Sequence, residues 1–155
     1  MTERIRDGVL DGFGRPLVAA TMWYDATPLH VVFLIDTGSD RTILSGADLF
    51  RFGTGRVHKK PRKTIEADTY GKAVVFRELP VVVGFRTRHH VLQYDVEVCI
   101  PPDEDLERDI PSLLGRDILN RWRVVVDYPK RELSLLARTW DGRYPVSPNI
   151  RSRQA

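Results

Sequence analysis

The sequence predicts an all-β fold in a single domain, with antiparallel pairing as its main organising pattern. Strand-length runs rich in apolar and β-branched residues recur along the chain, among them LVAATMWY, VVFLI, VVVGF and VVVDY. Clusters of turn-forming residues separate these runs, as in Asp25-Ala26-Thr27-Pro28 and Pro129-Lys130, and strands that follow one another through short turns pair antiparallel. A length of 155 residues is enough for one real core and too short for two independent ones.

Each element follows from local sequence. Residues 1–14 are polar and glycine-punctuated and read as a flexible arm available to dock as an edge strand. Residues 17–24 and 29–35 make a hairpin across the turn cluster at 25–28, and that hairpin delivers Asp36. Residues 42–44 read as another short strand, and residues 45–52 as a helical turn capped by Ser45. Residues 64–69 and 72–76 flank Tyr70-Gly71 as the arms of a long hairpin with its tip at 68–72. Pro80 starts VVVGF, the polar turn 86–90 follows, and 91–100 is a long strand. The acidic stretch 101–109 is a solvated connection. In IPSLLGRDILNRW, residues 110–122, the pair Leu113-Leu114 meets Gly115, and residues 116–121 have the length of one short helix. Residues 124–128 and 132–136 form the last hairpin. The division is therefore an arm (1–14), a folded domain (15–137) and a polar tail (138–155).

Composition narrows the function. A hydrophobic fraction of 42% and a charged fraction of 29% are those of a soluble globular protein. The net charge of +3 permits acidic partners without arguing for nucleic acid. The basic stretch RVHKKPRK at 56–63 fits a solvated loop, with nucleic-acid contact as the competing reading. A single cysteine, Cys99, excludes an intrachain disulfide and zinc-finger spacings, and its setting in VEVCI is that of a small buried thiol. The first residues lack the apolar core of a signal peptide and no stretch reaches membrane-span length, so a cytoplasmic location is the default expectation. Adjacent residues on a strand face opposite ways, so His89-His90 reads as a surface turn and no metal or cofactor is expected. Gly12-Phe13-Gly14 lacks the third glycine of a dinucleotide loop. Trp23, Trp122 and Trp140 read as core or interface aromatics.

The chemistry concentrates in residues 31–44, VVFLIDTGSDRTIL. An apolar strand that stops on Asp36 sets one carboxylate at the mouth of a hydrophobic body, where burial and hydrogen bonding shift a carboxyl pKa. Taken alone, D-T-G equally fits an Asp that ends a strand in a tight turn. The later SLLGRDIL tips the balance toward chemistry.

FLIDTGSDRTIL, the hairpin bearing Tyr70-Gly71, and SLLGRDIL after further strands together resemble the retropepsin-like, single-lobe aspartic proteases. The resemblance spans residues 15–137. It implies a closed single-lobe β-barrel with one short C-terminal helix, and a two-fold homodimer in which each chain supplies one catalytic carboxylate. The sequence holds a single Asp-Thr-Gly, so Asp36 would find its partner in a second copy. The implied activity is that of an aspartic endopeptidase hydrolysing a polypeptide with a water activated between two Asp36 carboxylates. No cofactor, nucleic acid or membrane takes part. Thr37 would bond across the two-fold axis, Gly38 would allow close backbone approach, and Ser39 would hydrogen-bond the outer oxygen of Asp36. Asp40 and Arg116 would pair to brace the loop, beside Leu114 and Gly115. Tyr70 and Gly71 would form the flap, although Tyr70 equally suits an ordinary strand position. Arg41 stands where viral relatives carry an acid, and with the flap it is a candidate for substrate contact. The alternative is a catalytically weak dimerisation or peptide-binding module of the same fold.

Overall fold

The computed structural model describes residues 1–53, 64–69, 72–102 and 110–146, with the backbone alone for 65–69 and 72–74. The expected flap tip at Tyr70 and Gly71, the basic stretch 56–63, residues 103–109 of the acidic connection and the end of the tail lie outside the described residues. Strands β1 (Glu3–Arg4), β2 (Gly8–Leu10), β3 (Pro16–Tyr24) and β4 (Thr27–Ile35) precede helix α1 (Gly46–Phe52). Strands β5 (Thr64–Thr69), β6 (Lys72–Arg86), β7 (His90–Ile100) and β8 (Ser112–Leu114) lead to helix α2 (Arg116–Leu119). Strands β9 (Trp122–Asp127), β10 (Glu132–Ala137) and β11 (Gly142–Pro145) follow.

The larger sheet runs β11-β7-β6-β3-β4-β8, with β2 added to β3 and β5 to β6, and a smaller sheet runs β1-β10-β9. Alternation builds the core: Val18, Ala20, Met22 and Tyr24 of β3 point inward beside Leu29, Val31, Phe33 and Ile35 of β4. Leu79, Val81, Val83 and Phe85 of β6 and Leu92, Tyr94 and Val98 of β7 cover the same interior. Val32, inside the continuous apolar run, is 54% exposed because period-two geometry turns it to the outer face.

Several expectations change. The β3–β4 connection is a two-residue turn at Asp25 and Ala26, both with positive φ (46° and 61°), the geometry whose twist matches the flanking strands. Thr27 and Pro28, read as turn residues, belong to the strand and pair with Tyr24 and Trp23. VVVGF is the second half of the single 15-residue strand β6, with Pro80 inside it. Residues 1–14 contribute β1 on β10 and β2 on β3, with Ile5 buried between them. Residues beyond 138 contribute β11, which pairs with β7.

Among the described residues the strands form two sheets, neither of which closes on itself, and helix α1 is present in addition to the expected short C-terminal helix. Among the described residues, no strand pairing joins β8 back to β7. Isolated bridges from Ile43 to Leu113 on one side and Cys99 on the other cross that gap. The stretch expected as a strand at 42–44 is thus a single-residue link, since the chain must leave the loop after Asp36 and enter α1 within a few residues. Ser45 does cap α1, its side chain accepting from Asp48 N–H at 3.2 Å. No helix of the described residues is long and apolar enough to cross a membrane.

The two sheets meet around an aromatic cluster. Phe85 lies edge-on to Trp122 (4.7 Å between centroids) and to Tyr94 (5.8 Å). Trp122 Nε1 donates to the Tyr94 hydroxyl at 2.8 Å, which donates to the Thr139 carbonyl at 2.8 Å. Burial pushes the Tyr94 phenol up to about 12, so it remains a donor at every ordinary pH. Tyr94→Phe keeps the ring and leaves the indole N–H of Trp122 without its acceptor, and the expected destabilisation is about 2 kcal/mol. Urea denaturation of the two proteins measures it.

Candidate active site

Strands β4 and β8 run parallel, with Phe33 opposite Ser112 and Ile35 opposite Leu114. Two segments far apart in sequence therefore leave the sheet side by side: Asp36 at the end of one strand, Gly115 at the end of the other. Asp36 N–H donates to the Leu114 carbonyl at 3.0 Å. The loop then turns tightly, with Ser39 N–H on the Asp36 carbonyl (3.2 Å) and Gly38 N–H on Asp36 Oδ1 (3.0 Å). A Cβ on Gly38 would stand 3.3 Å from that oxygen, so the glycine leaves the carboxylate room. Asp36 is half-buried, whereas Thr37 and Gly38 are exposed at the tip.

Helix α2 braces the loop from below. Arg116 N–H donates to the Ser39 carbonyl at 2.8 Å and Asp117 N–H to the Asp40 carbonyl at 3.2 Å. The Arg116 guanidinium also pairs with the Asp40 carboxylate. Both side chains are substantially exposed, so the pair fixes orientation more than it adds stability. Gly115 is the contact that sets the spacing. A Cβ there would fall 2.3 Å from the carbonyl carbon and oxygen of Arg41, an overlap with backbone that no rotamer change relieves.

Two side chains act differently from their sequence-based roles. Ser39 does not bond the Asp36 carboxylate. Its Oγ donates to the Arg41 carbonyl at 2.6 Å, and a hydroxyl has one proton to give. Arg41, a candidate for substrate contact, turns away into a structural pair. Its guanidinium donates to Glu78 Oε1 at 2.9 Å and to the Glu97 carbonyl at 3.0 Å. Burial is the largest single influence and acts to lower the Arg41 pKa, but the hydrogen bond with Glu78 and the surrounding charges of Glu78, Asp117 and Cys99 together outweigh it, and the net shift is upward. Glu78 itself is buried.

The sequence reading missed Asp117 and Thr42. Asp117 Oδ2 accepts from Thr42 N–H (2.9 Å) and Oδ1 from the Thr42 hydroxyl (2.7 Å). The same hydroxyl accepts from Gly115 N–H at 3.2 Å. Thr42 is wholly buried, so this knot seals the far end of the loop. The available signal was the acid directly after Arg116, at the start of a helix where carboxylates are favoured. Nearby, burial pushes the Cys99 thiol up to about 11, the inert state expected of a core cysteine.

A groove of about 920 Å³ lies elsewhere, at the turn end of the β3–β4 hairpin, lined by Trp23, Pro80, Val82, Asp95 and Tyr144 among others. It does not include Asp36, which stands at the opposite end of β4.

No protein-family model and no curated protein matches the chain. Among solved structures, it is similar to a retropepsin-like aspartic protease from Rickettsia conorii, with 17% identity, 94% of each chain covered and a TM-score of 0.54. The architecture is thus similar to the retropepsin-like fold, and the likeness is one of fold.

Gly115→Ala is expected to destabilise the protein by about 3 kcal/mol through the clash with the Arg41 backbone. Thermal unfolding followed by circular dichroism measures the loss. An unchanged midpoint would mean that the loop and α2 are not pressed together as described.

Proposed function

We propose that the chain is an aspartic endopeptidase of retropepsin type, active as a homodimer on an extended polypeptide. The observation that carries this reading is the placement of Asp36. A half-buried carboxylate ends a core strand, with Thr37 and Gly38 exposed beside it, in a loop held by α2 through backbone bonds and the Asp40–Arg116 pair. The fold likeness supports the same class.

The chain supplies one Asp-Thr-Gly, so a second copy provides the second carboxylate. Two carboxyl groups about 3 Å apart cannot both ionise and share one proton. The ionised Asp36 takes a proton from a water as it attacks the scissile carbonyl, while the protonated Asp36 of the other copy donates to the carbonyl oxygen. Thr37 hydrogen-bonds across the axis to keep the loops in register. The hairpin of β5 and β6 closes over the peptide and excludes water, with Tyr70 and Gly71 at its tip. Ser39 supports the loop through the Arg41 carbonyl rather than by tuning the carboxylate.

Asp36→Asn is expected to lower kcat on a diverse peptide library by about a thousandfold or more, with the fold intact by circular dichroism. The wild-type pH–rate profile is expected to be bell-shaped, because the pair works only with one proton between its two members. Cleavage retained by the Asn variant, or by a strictly monomeric enzyme, would refute the reading. Peptide bound but uncleaved by both proteins at every pH would mark the binding module instead.

A further inference from the structure

Trp23 is a large aromatic that neither the core nor the Asp36 loop uses. Met22 and Tyr24 on either side of it are buried, so alternation turns Trp23 to the outer face of the larger sheet. There its six-membered ring fills the space over Gly84, where a Cβ would come within 2.7 Å of it. A glycine inside a strand weakens that strand, and here the indole takes the place of the missing side chain.

The same face carries a row of complementary chemistry. Trp23 pairs with Val82, and Val82 pairs with Asp95 on the next strand. An aromatic ring, an aliphatic side chain and a carboxylate thus stand in line across β3, β6 and β7, about 10 Å from end to end. The row lies in the groove of about 920 Å³, which Tyr144 of the edge strand β11 also lines.

Charge in the groove is opposite to that of the chain. Asp25, Asp95 and Glu97 line it and, among the described residues, no lysine, arginine or histidine does, although the whole chain carries a net charge of +3. Arg41 reaches the Glu97 carbonyl, but its charge is matched by Glu78. Asp95 is exposed, and among the described residues its carboxylate forms no hydrogen bond or ion pair. Its backbone is nonetheless fixed. Asp95 N–H donates to Asp141 Oδ2 at 2.8 Å, and both Asp141 oxygens accept from Arg121 at 3.0 Å. An uncommitted carboxylate on a fixed strand, two strand widths from an indole, suits a cation with an apolar stem.

Arginine fits that description better than lysine, because its planar fork matches a carboxylate, stacks on aromatic faces and sheds water more readily than an ammonium. The volume is near the upper end for ligand pockets and exceeds what one side chain fills, so the occupant is a stretch of polypeptide. We propose that this outer-face groove docks an arginine-bearing segment of a partner polypeptide, with an arginine stem across Trp23 and Val82 and its guanidinium on Asp95. The 9 residues of β4 separate the groove from Asp36 by about 30 Å along the strand. Docking therefore leaves the Asp36 loop uncovered and does not depend on the peptidase reading.

The test is fluorescence anisotropy with a dye-labelled, end-blocked hexapeptide that alternates arginine and leucine. It is titrated with the full chain carrying Asp36→Asn, so that the probe stays intact. Binding is expected, with none for the same peptide built on glutamate in place of arginine. Asp95→Asn, which keeps the shape of the side chain, and Trp23→Leu are each expected to weaken binding by about tenfold. Asp127→Asn removes an acid outside the groove and is expected to leave binding unchanged. Thermal melts verify that each variant is folded. Absence of binding, indifference to Asp95→Asn, or equal weakening by Asp127→Asn overturns the groove as the docking site. Free arginine that competes as well as the peptide overturns a polypeptide occupant. Binding that appears only when the chain's own Arg151 and Arg153 are both changed to serine gives the groove to the chain's tail and overturns the external partner. Self-association in sedimentation equilibrium that Asp95→Asn relieves gives it to a second copy, with the same consequence.

Discussion

The structure turns on the parallel pairing of β4 with β8 and on the absence of a side chain where β8 ends. Parallel strands need a long crossover between them, and here the crossover contains α1 and β5 through β7. Most of the fold is therefore spent on returning residues 112–115 to the side of residues 33–36. Once there, the Arg41 backbone lies so close to Gly115 that only hydrogen occupies the space. That approach lets Thr42 reach Asp117 and Gly115, lets Ile43 bridge β8 to β7, and seats the loop after Asp36 on the first turn of α2.

The charges around the loop follow from this geometry. Asp40 is matched by Arg116, Asp117 is satisfied by Thr42, and Glu78 is matched by Arg41. Each of these carboxylates carries a defined structural task on a rigid element. Asp36, by contrast, accepts the backbone N–H of Gly38 in an exposed turn. The loop itself is held by backbone bonds and by the other acids, so the Asp36 carboxylate is not one of its structural braces.

Local features of this chain were legible in the sequence, and long-range ones were not. The β3–β4 hairpin, the Ser45 cap and the strand ending on Asp36 follow from period, turn residues and capping chemistry within a few positions. The Asp40–Arg116 pair became visible through a resemblance, since nothing local links residues 76 apart. Arg41 was misread because its partner Glu78 is 37 positions away, and the buried carboxylate that claims it sits inside a strand whose neighbours were unknown. Ser39 was misread for a different reason. Its hydroxyl could reach either the Asp36 carboxylate or the Arg41 carbonyl, and the turn geometry, not the residue type, decides between them. Among the described residues the side of β8 away from β4 meets β7 through isolated bridges of Ile43, a one-residue link that no local pattern announces.

On the proposed homodimer reading, a chain that provides half of a site must keep that half rigid before its partner arrives, or assembly would have to order the loop as well as join the surfaces. Here the rigid path is continuous. The Asp36 loop is bonded to α2, α2 passes through Asn120 and Arg121 into β9, and β9 is anchored by Trp122 in the aromatic cluster that joins the two sheets. Displacement of β9 would be transmitted to the loop through a few covalent links and short hydrogen bonds, with no flexible segment between. The loop that bears Asp36 is coupled to the smaller sheet through α2, whereas the hairpin of β5 and β6 joins the body through β6. On that reading, the loop that must be accurate is carried by a different part of the fold from the hairpin proposed to close over the peptide.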